Sequence, residues 1–150
     1  MRTVIQRVTK ANLYIEGKLH SAITKGLLIL LGITHDDNNA DIEWLTAKIS
    51  KLRIFGDENG KMNLSIKDIR GEIMVVSQFT LFASTKKGNR PSYIKSANPE
   101  VAIPLYNGFI EHMKKETGLK VVSGVFGAYM QVELVNDGPV TITIDTKAKE

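Results

Sequence analysis

Hydrophobic and polar positions alternate at two different periods along this chain, and each change of period marks an element. Ala11, Leu13 and Ile15 alternate strictly with Asn12, Tyr14 and Glu16, the pattern of a strand with one buried face. Glu16-Gly17-Lys18 supplies a turn, and residues 19–23 read as the returning strand of a hairpin. Residues 26–33 form an unbroken apolar run, which predicts a central strand covered on both faces. The polar break at 35–39 offers side-chain oxygens to cap a following helix, in which Ile42, Leu45, Ile49 and Leu52 recur at spacings of three and four. Asp41 and Glu43 near its start and Lys48 and Lys51 near its end suit the helix dipole. In a second helix Asn98 caps and Pro99 takes the first position. Ala102, Leu105, Tyr106, Phe109 and Met113 share one face there, and Gly118 is the stop.

Between the helices, residues 55–60 read as a loop and 72–76 as a strand leading into Ser77. Near the end, 130–135 and 140–145 each alternate, with Asn136-Asp137-Gly138-Pro139 between them, which predicts a strand, a tight connection and another strand. Two helices are too few to cross over between this many strands if all ran parallel. The expected fold is therefore α/β, one domain over residues 1–150, with a mixed, largely antiparallel sheet and two main helices packed on it.

Composition narrows the class without naming a function. With 43% hydrophobic and 24% charged residues the chain is an ordinary globular sequence, which excludes a disordered or fibrous one. Cysteine is absent, so disulfide frameworks, thiolate zinc sites and cysteine nucleophiles are excluded, and a reducing compartment is compatible. The opening residues lack a signal-peptide core, and the apolar run at 26–33 is far shorter than the roughly 20 residues that span a bilayer. A soluble, cytoplasmic protein with no membrane partner is the expectation. The net charge of +4 leans toward anionic partners such as phosphates, although the lysines are scattered.

His20, His35 and His112 lie far apart and fit no metal-ligand spacing, and neither GxxxxGK[ST] nor GxGxxG occurs, so no metal and no cofactor is expected. Two segments carry candidate chemistry. Ser77-Gln78-Phe79-Thr80 places two hydroxyls, an amide and a ring at a strand end, where freed backbone N–H groups can meet a ligand; taken alone, it reads sooner as hydroxyls capping local backbone. Asp137-Gly138-Pro139 reads alone as a hairpin turn, or as an X–Pro unit whose cis form would turn two backbone carbonyls to one side.

Together, Ser77-Gln78-Phe79-Thr80, Asn136-Asp137-Gly138-Pro139-Val140-Thr141 and Asp145-Thr146 closely resemble the D-aminoacyl-tRNA deacylase family in order and separation. So do the opening Met1-Arg2-x-Val4-x-Gln6-Arg7-Val8, Phe55-Gly56-Asp57 with Lys61-Met62-Asn63, Gly88-Asn89-Arg90-Pro91-Ser92, and Gly124-x-Phe126-Gly127-Ala128-x-Met130. The resemblance covers essentially the whole chain.

It implies a partly barrel-like sheet and hydrolysis of the ester that joins a D-amino acid, or achiral glycine (including glycine mischarged on the alanine tRNA), to the terminal adenosine of tRNA. It further implies a homodimer with active sites at its interface, where Gly138 and Pro139 enter the partner's site and hold the amino group with their carbonyls. An L side chain would clash with that rigid backbone. Arg7 would fix the loop, and Phe126 and Met130 would wall the pocket. Lys86, Lys87 and Arg90 are candidate contacts to tRNA phosphates.

Backbone N–H groups around Phe79 and Thr80 would stabilise the oxyanion while the substrate's own 2′-hydroxyl helps activate water; Thr80 as nucleophile is the competing mechanism. A non-catalytic module that binds tRNA ends and a purely structural dimerisation domain are the readings of other classes. Against the former stand the lack of an RNP-type aromatic motif and of a dense basic stripe.

Overall fold

The computed structural model describes residues 1–149. Strand β1 (Arg2–Ile15) leads through a turn with Glu16 and Gly17 at positive φ into β2 (Lys18–Ile23), and β3 (Gly26–Gly32) follows. Helix α1 (Asn39–Ser50) starts on a capping box: the Asn38 side chain accepts from Ala40 N–H at 2.9 Å while the Asp41 carboxylate accepts from Asn38 N–H at 3.0 Å. The short strands β4 (Phe55–Gly56) and β5 (Met62–Leu64) form their own ladder, so the segment expected as a loop is partly paired. Strand β6 (Glu72–Ser77) runs into a 3-10 turn, Phe79–Phe82. Helix α2 (Pro99–Thr117) has the expected Asn98 cap and Pro99 start, and it ends at Gly118 with φ 67°. Strands β7 (Val121–Ser123) and β8 (Gln131–Asp145) complete the chain.

Hairpins give antiparallel pairs and helical crossovers give parallel ones. Accordingly β1 pairs antiparallel with β2, β3 and β8, whereas β3–β6 and β6–β7, joined through α1 and α2, are parallel. The far ends of the sheet approach each other: Ser21 Oγ donates to the Ser123 carbonyl at 3.1 Å and Lys120 Nζ to the Ala22 carbonyl at 3.2 Å. The result is a mixed sheet nearly closed into a barrel, with both helices on one face.

One core lies between sheet and helices, with Ile5, Leu27, Ile29 and Leu31 against Leu45, Ile49, Tyr106, Phe109 and Met113. A second lies on the other face and contains Val8, Leu13, Leu28, Met74 and Val76. Leu52, expected on the first helix, follows its end and packs on the first core. Among the described residues, no helix is long and apolar enough to cross a membrane.

The C-terminal segment corrects an expectation. Residues 130–145 do not fold back on themselves; both halves pair with β1, Leu134 with Ala11 on one side and Ile142 with Ile5 on the other. Asn136 pairs with Val8 and Thr141 with Gln6, so three extra residues bulge out of one continuous strand opposite Arg7. Gly138 and Pro139 sit on this bulge, not in a hairpin turn.

Candidate active site

Ser77 is the last residue of β6, paired with Leu31, and the Gln78 N–H still donates to the Leu31 carbonyl at 2.8 Å. The chain then tightens into the 3-10 turn, closed by Leu81 N–H on the Gln78 carbonyl and Ala83 N–H on the Thr80 carbonyl. At the start of such a turn the first N–H groups, here those of Phe79 and Thr80, have no carbonyl of the same turn behind them. Gly32 makes room for this arrangement. A Cβ there would stand 3.0 Å from the Gln78 carbonyl oxygen and 3.2 Å from the Phe82 ring.

Ser77, Gln78, Phe79 and Gly127 form a ridge with a hollow on each side. A cleft of about 420 Å³ is floored by Gln6, Leu28, Leu30 and Val76 and walled by Met130. A smaller hollow of about 70 Å³ has Phe126, Ala97 and Ala102 around it. Phe126 is backed by the Tyr106 ring at 5.8 Å, and the Tyr106 hydroxyl donates to the Val75 carbonyl at 2.9 Å. Burial pushes the Tyr106 phenol up to about 12, so it stays a proton donor across the working pH range. Met130 lies against Gly124, where a Cβ would meet the thioether sulfur.

Thr80 lines neither hollow. Its hydroxyl accepts a hydrogen bond from Gln78 Nε2. An amide cannot take a proton from a hydroxyl as imidazole or carboxylate can, so this pairing orients Thr80 without activating it as a nucleophile. Its own O–H remains available to donate. Among the described residues there is no group of three His, Asp or Glu side chains that could hold a metal ion.

Gly138 and Pro139 lie elsewhere. They border a separate hollow of about 460 Å³ together with Arg7, Phe55, Gly56 and Met62. Successive β-strand residues face opposite ways, and Gln6 points into the first cleft while Arg7 points into this one. The Arg7 guanidinium fastens the bulge, with Nε donating to the Asp137 carbonyl at 3.1 Å and facing the Asp137 carboxylate at 3.2 Å. Its Nη1 reaches the Ile54 carbonyl. Gly138 has φ 130°, and a Cβ there would sit 3.0 Å from Arg7 Nη2, so only glycine fits. The Gly138–Pro139 peptide bond is cis, and both residues are exposed.

A single chain thus brings Ser77, Gln78 and Phe79 together with Phe126 and Met130, but not with Arg7, Gly138 and Pro139. Sequence reasoning missed Gln6 as a cleft residue and Tyr93, whose ring meets Phe79 edge-on at 5.0 Å. Gln6 was readable as a polar position between the apolar Val4 and Val8 of one strand face; Tyr93 carries no local signal. A further hollow of about 620 Å³ lies beside Trp44, Lys48 and Lys149, away from Ser77–Phe79 and from Gly138–Pro139.

Known proteins resemble this chain over its whole length. A family model described as D-Tyr-tRNA(Tyr) deacylase matches residues 4–145. A protein of Porphyromonas gingivalis named D-aminoacyl-tRNA deacylase is 63% identical over 150 residues, all of both chains, and one of the same name from Flavobacterium psychrophilum is 61% identical over the same span. A solved structure of the c-Myc DNA Unwinding Element Binding Protein superposes with TM-score 0.92 at 43% identity, covering 99% of this chain and 100% of that one. A probable eukaryotic D-amino acid tRNA deacylase shares the fold, with TM-score 0.80 at 16% identity over 95% of this chain and 97% of that one. This chain belongs to the D-Tyr-tRNA(Tyr) deacylase family.

Proposed function

We propose that this enzyme hydrolyses the ester between a D-amino acid, or glycine, and the terminal adenosine of tRNA, working as a homodimer in cytoplasmic translation quality control. The observation that carries the reading is the ridge at Ser77–Phe79. It offers main-chain N–H donors beside an apolar cleft, and of its two side-chain hydroxyls, on Ser77 and Thr80, that of Thr80 is paired with an amide and not with a base.

An aminoacyl ester is already activated and carries a vicinal ribose hydroxyl, so the protein's task is to position it and to stabilise charge. Phe79 and Thr80 N–H groups receive the developing oxyanion, and the substrate's 2′-hydroxyl assists the attacking water. Removing one such donor typically costs about 2.7–4 kcal/mol of transition-state stabilisation.

The second motif supplies selection. Gly138 and Pro139 of a second copy, projecting on the bulge that Arg7 fastens, enter this site and accept hydrogen bonds from the substrate's amino group through their carbonyls. A D side chain then points away from that backbone, an L side chain into it, and glycine has none to clash. Exposure of both residues and their distance from the ridge within one chain support a contribution in trans. Neither metal nor cofactor is required by these steps.

The test is hydrolysis of D-Tyr-tRNA, Gly-tRNA and L-Tyr-tRNA by the purified protein with chelator present. Turnover of the first two and near-background rates on the third are expected. Equal rates on D- and L-Tyr-tRNA would refute the chiral filter, and binding without turnover would favour a tRNA-end-binding module.

A further inference from the structure

Next to the ridge lies a surface that the reaction above leaves unused. Between Ser84 and Ala97 the sequence holds four cations, Lys86, Lys87, Arg90 and Lys95, and no acidic residue. All four are exposed. Two large apolar side chains of the same segment stand open as well, Ile94 at 82% exposure and Tyr93 at 39%, beside Phe79 at 55%. Burying a phenyl ring is favourable, and a monomer gains nothing by leaving three such groups side by side in water.

The segment is also held in place. Ser84 and Ser92 exchange backbone hydrogen bonds at 2.8 and 2.9 Å, which closes the basic loop. Ser96 Oγ donates to the Phe79 carbonyl at 2.8 Å and Thr34 Oγ1 to the Lys95 carbonyl at 2.6 Å, so the Tyr93–Ser96 stretch is tied to both the ridge and the end of β3. The Tyr93 ring meets Phe79 edge-on with centroids 5.0 Å apart, and Phe79 itself lines the reaction cleft. Aromatic faces therefore run without a break from the cleft mouth onto the basic segment.

We infer that Tyr93 and Ile94, flanked by Lys86, Lys87, Arg90 and Lys95, form a docking surface for the unpaired nucleotides that precede the esterified one. This inference rests on the proposed reaction, because it is the ester's position at the end of a nucleic acid strand that makes the rest of that strand leave over Phe79. The chemistry selects the occupant. Bases offer π-faces to Tyr93 and apolar area to Ile94, and their phosphates offer the negative charge that four exposed cations attract. An acidic peptide would meet the cations but has no general reason to stack on Tyr93. The surface reads shape and charge and not base identity, since stacking tolerates any base.

Two substrates separate this surface from the reaction centre: full-length D-Tyr-tRNA, and D-Tyr esterified to adenosine alone, which ends before the platform. Tyr93→Ala combined with Ile94→Ser should lower kcat/KM on D-Tyr-tRNA by roughly 5- to 150-fold, mainly through KM, the range that removing one stacked base implies. On the adenosine ester the Tyr93–Ile94 variant should lose far less than it does on D-Tyr-tRNA, and Lys86→Ala with Lys87→Ala should match the unaltered enzyme. Lys86→Ala with Lys87→Ala should lower the slope of log(kcat/KM) against log salt by about 0.7 for each phosphate that is no longer neutralised, again on D-Tyr-tRNA only. An equal loss on both substrates would show that the segment merely shapes the cleft, and no loss on either would show that nothing docks there. Both results overturn the inference. Should the unaltered enzyme hydrolyse neither substrate, it is the proposed reaction that fails. A variant that elutes at a different oligomeric size would assign the exposed side chains to the interface between copies, and that too overturns the inference.

Discussion

Replacing Arg7 by methionine keeps the length and much of the packing of the side chain but removes its charge and all its donors. The guanidinium is only 13% exposed, and it donates to two main-chain carbonyls, those of Asp137 and Ile54. Hydrogen bonds from charged groups contribute about 1.5–3 kcal/mol each. The adjoining carboxylate of Asp137 is 37% exposed, so that ion pair adds at most about 1 kcal/mol. Arg7→Met should therefore destabilise the fold by about 3–6 kcal/mol, read as a lower urea midpoint at fixed protein concentration and unchanged m-value. Asp137→Asn, which keeps the carbonyl bond and loses only the weak ion pair, should cost less than about 1 kcal/mol. The functional consequence is larger. A bulge free to shift by about 1 Å misplaces the selecting carbonyls, and displacements of that size cost on the order of 100-fold. Hydrolysis of D-Tyr-tRNA should fall accordingly while the low rate on L-Tyr-tRNA does not, so the ratio of the two collapses. An Arg7→Met protein with unchanged stability and an unchanged D-to-L ratio would refute both the fastening role and the selection derived from it.

Thr80→Ala should lower turnover only a few-fold, because its hydroxyl lines neither hollow and is paired with an amide; a fall to background in single-turnover assays would restore Thr80 as nucleophile. Gly124→Ala pushes a Cβ to 3.0 Å from Leu13 Cδ1 and closer still to the Met130 sulfur, so Met130 must leave the cleft wall; KM should rise with little change in the urea midpoint. The Asp41 carboxyl is held at about 2 against an ordinary 3.8: burial raises it, but hydrogen bonds from Lys147, Thr146 and the Asn38 N–H outweigh burial. Its folded value lies below its unfolded one, so the stability it contributes is complete above about pH 4 and lost as pH falls toward 2. The urea midpoint of the unaltered protein should drop over that interval, and that of Asp41→Asn should drop less.

Some of this architecture was legible in the sequence for physical reasons that are local. Asn98-Pro99 and Gly118 bound α2 because capping and a left-handed stop depend on adjacent residues alone. The unbroken apolar run of β3 reported its burial on both faces directly. The failures are non-local. Nothing in Asp137-Gly138-Pro139 distinguishes a hairpin turn from a bulge; the distinction is whether the flanking strands pair with each other or with a third, here β1. The 3-10 turn at Phe79–Phe82 was missed because its room comes from Gly32, far back in the chain. Tyr93 belongs to the site through one edge-on contact with Phe79, which no spacing rule records.

The division of the two motifs also bears on why the proposed site needs two copies. Gln6 and Arg7 are consecutive residues of β1, one facing the cleft beside the ridge and the other holding the Gly138–Pro139 bulge. Strand β1 pairs with three neighbours and is exposed only at Thr9 and Lys10, so neither hollow can swing round to meet the other without breaking the centre of the sheet. A loop could be flexible enough to make such a journey, but the bulge is fastened at Asp137 and continues as paired strand from Thr141 onward. If both motifs act on one substrate, they must come from different molecules. A two-fold arrangement satisfies this twice at once, because an approach of bulge to ridge in one direction generates its equivalent in the other. Specific activity should then fall on dilution in step with dissociation of the dimer measured by sedimentation, whereas full activity of a monomer would break the link between the ridge and the bulge.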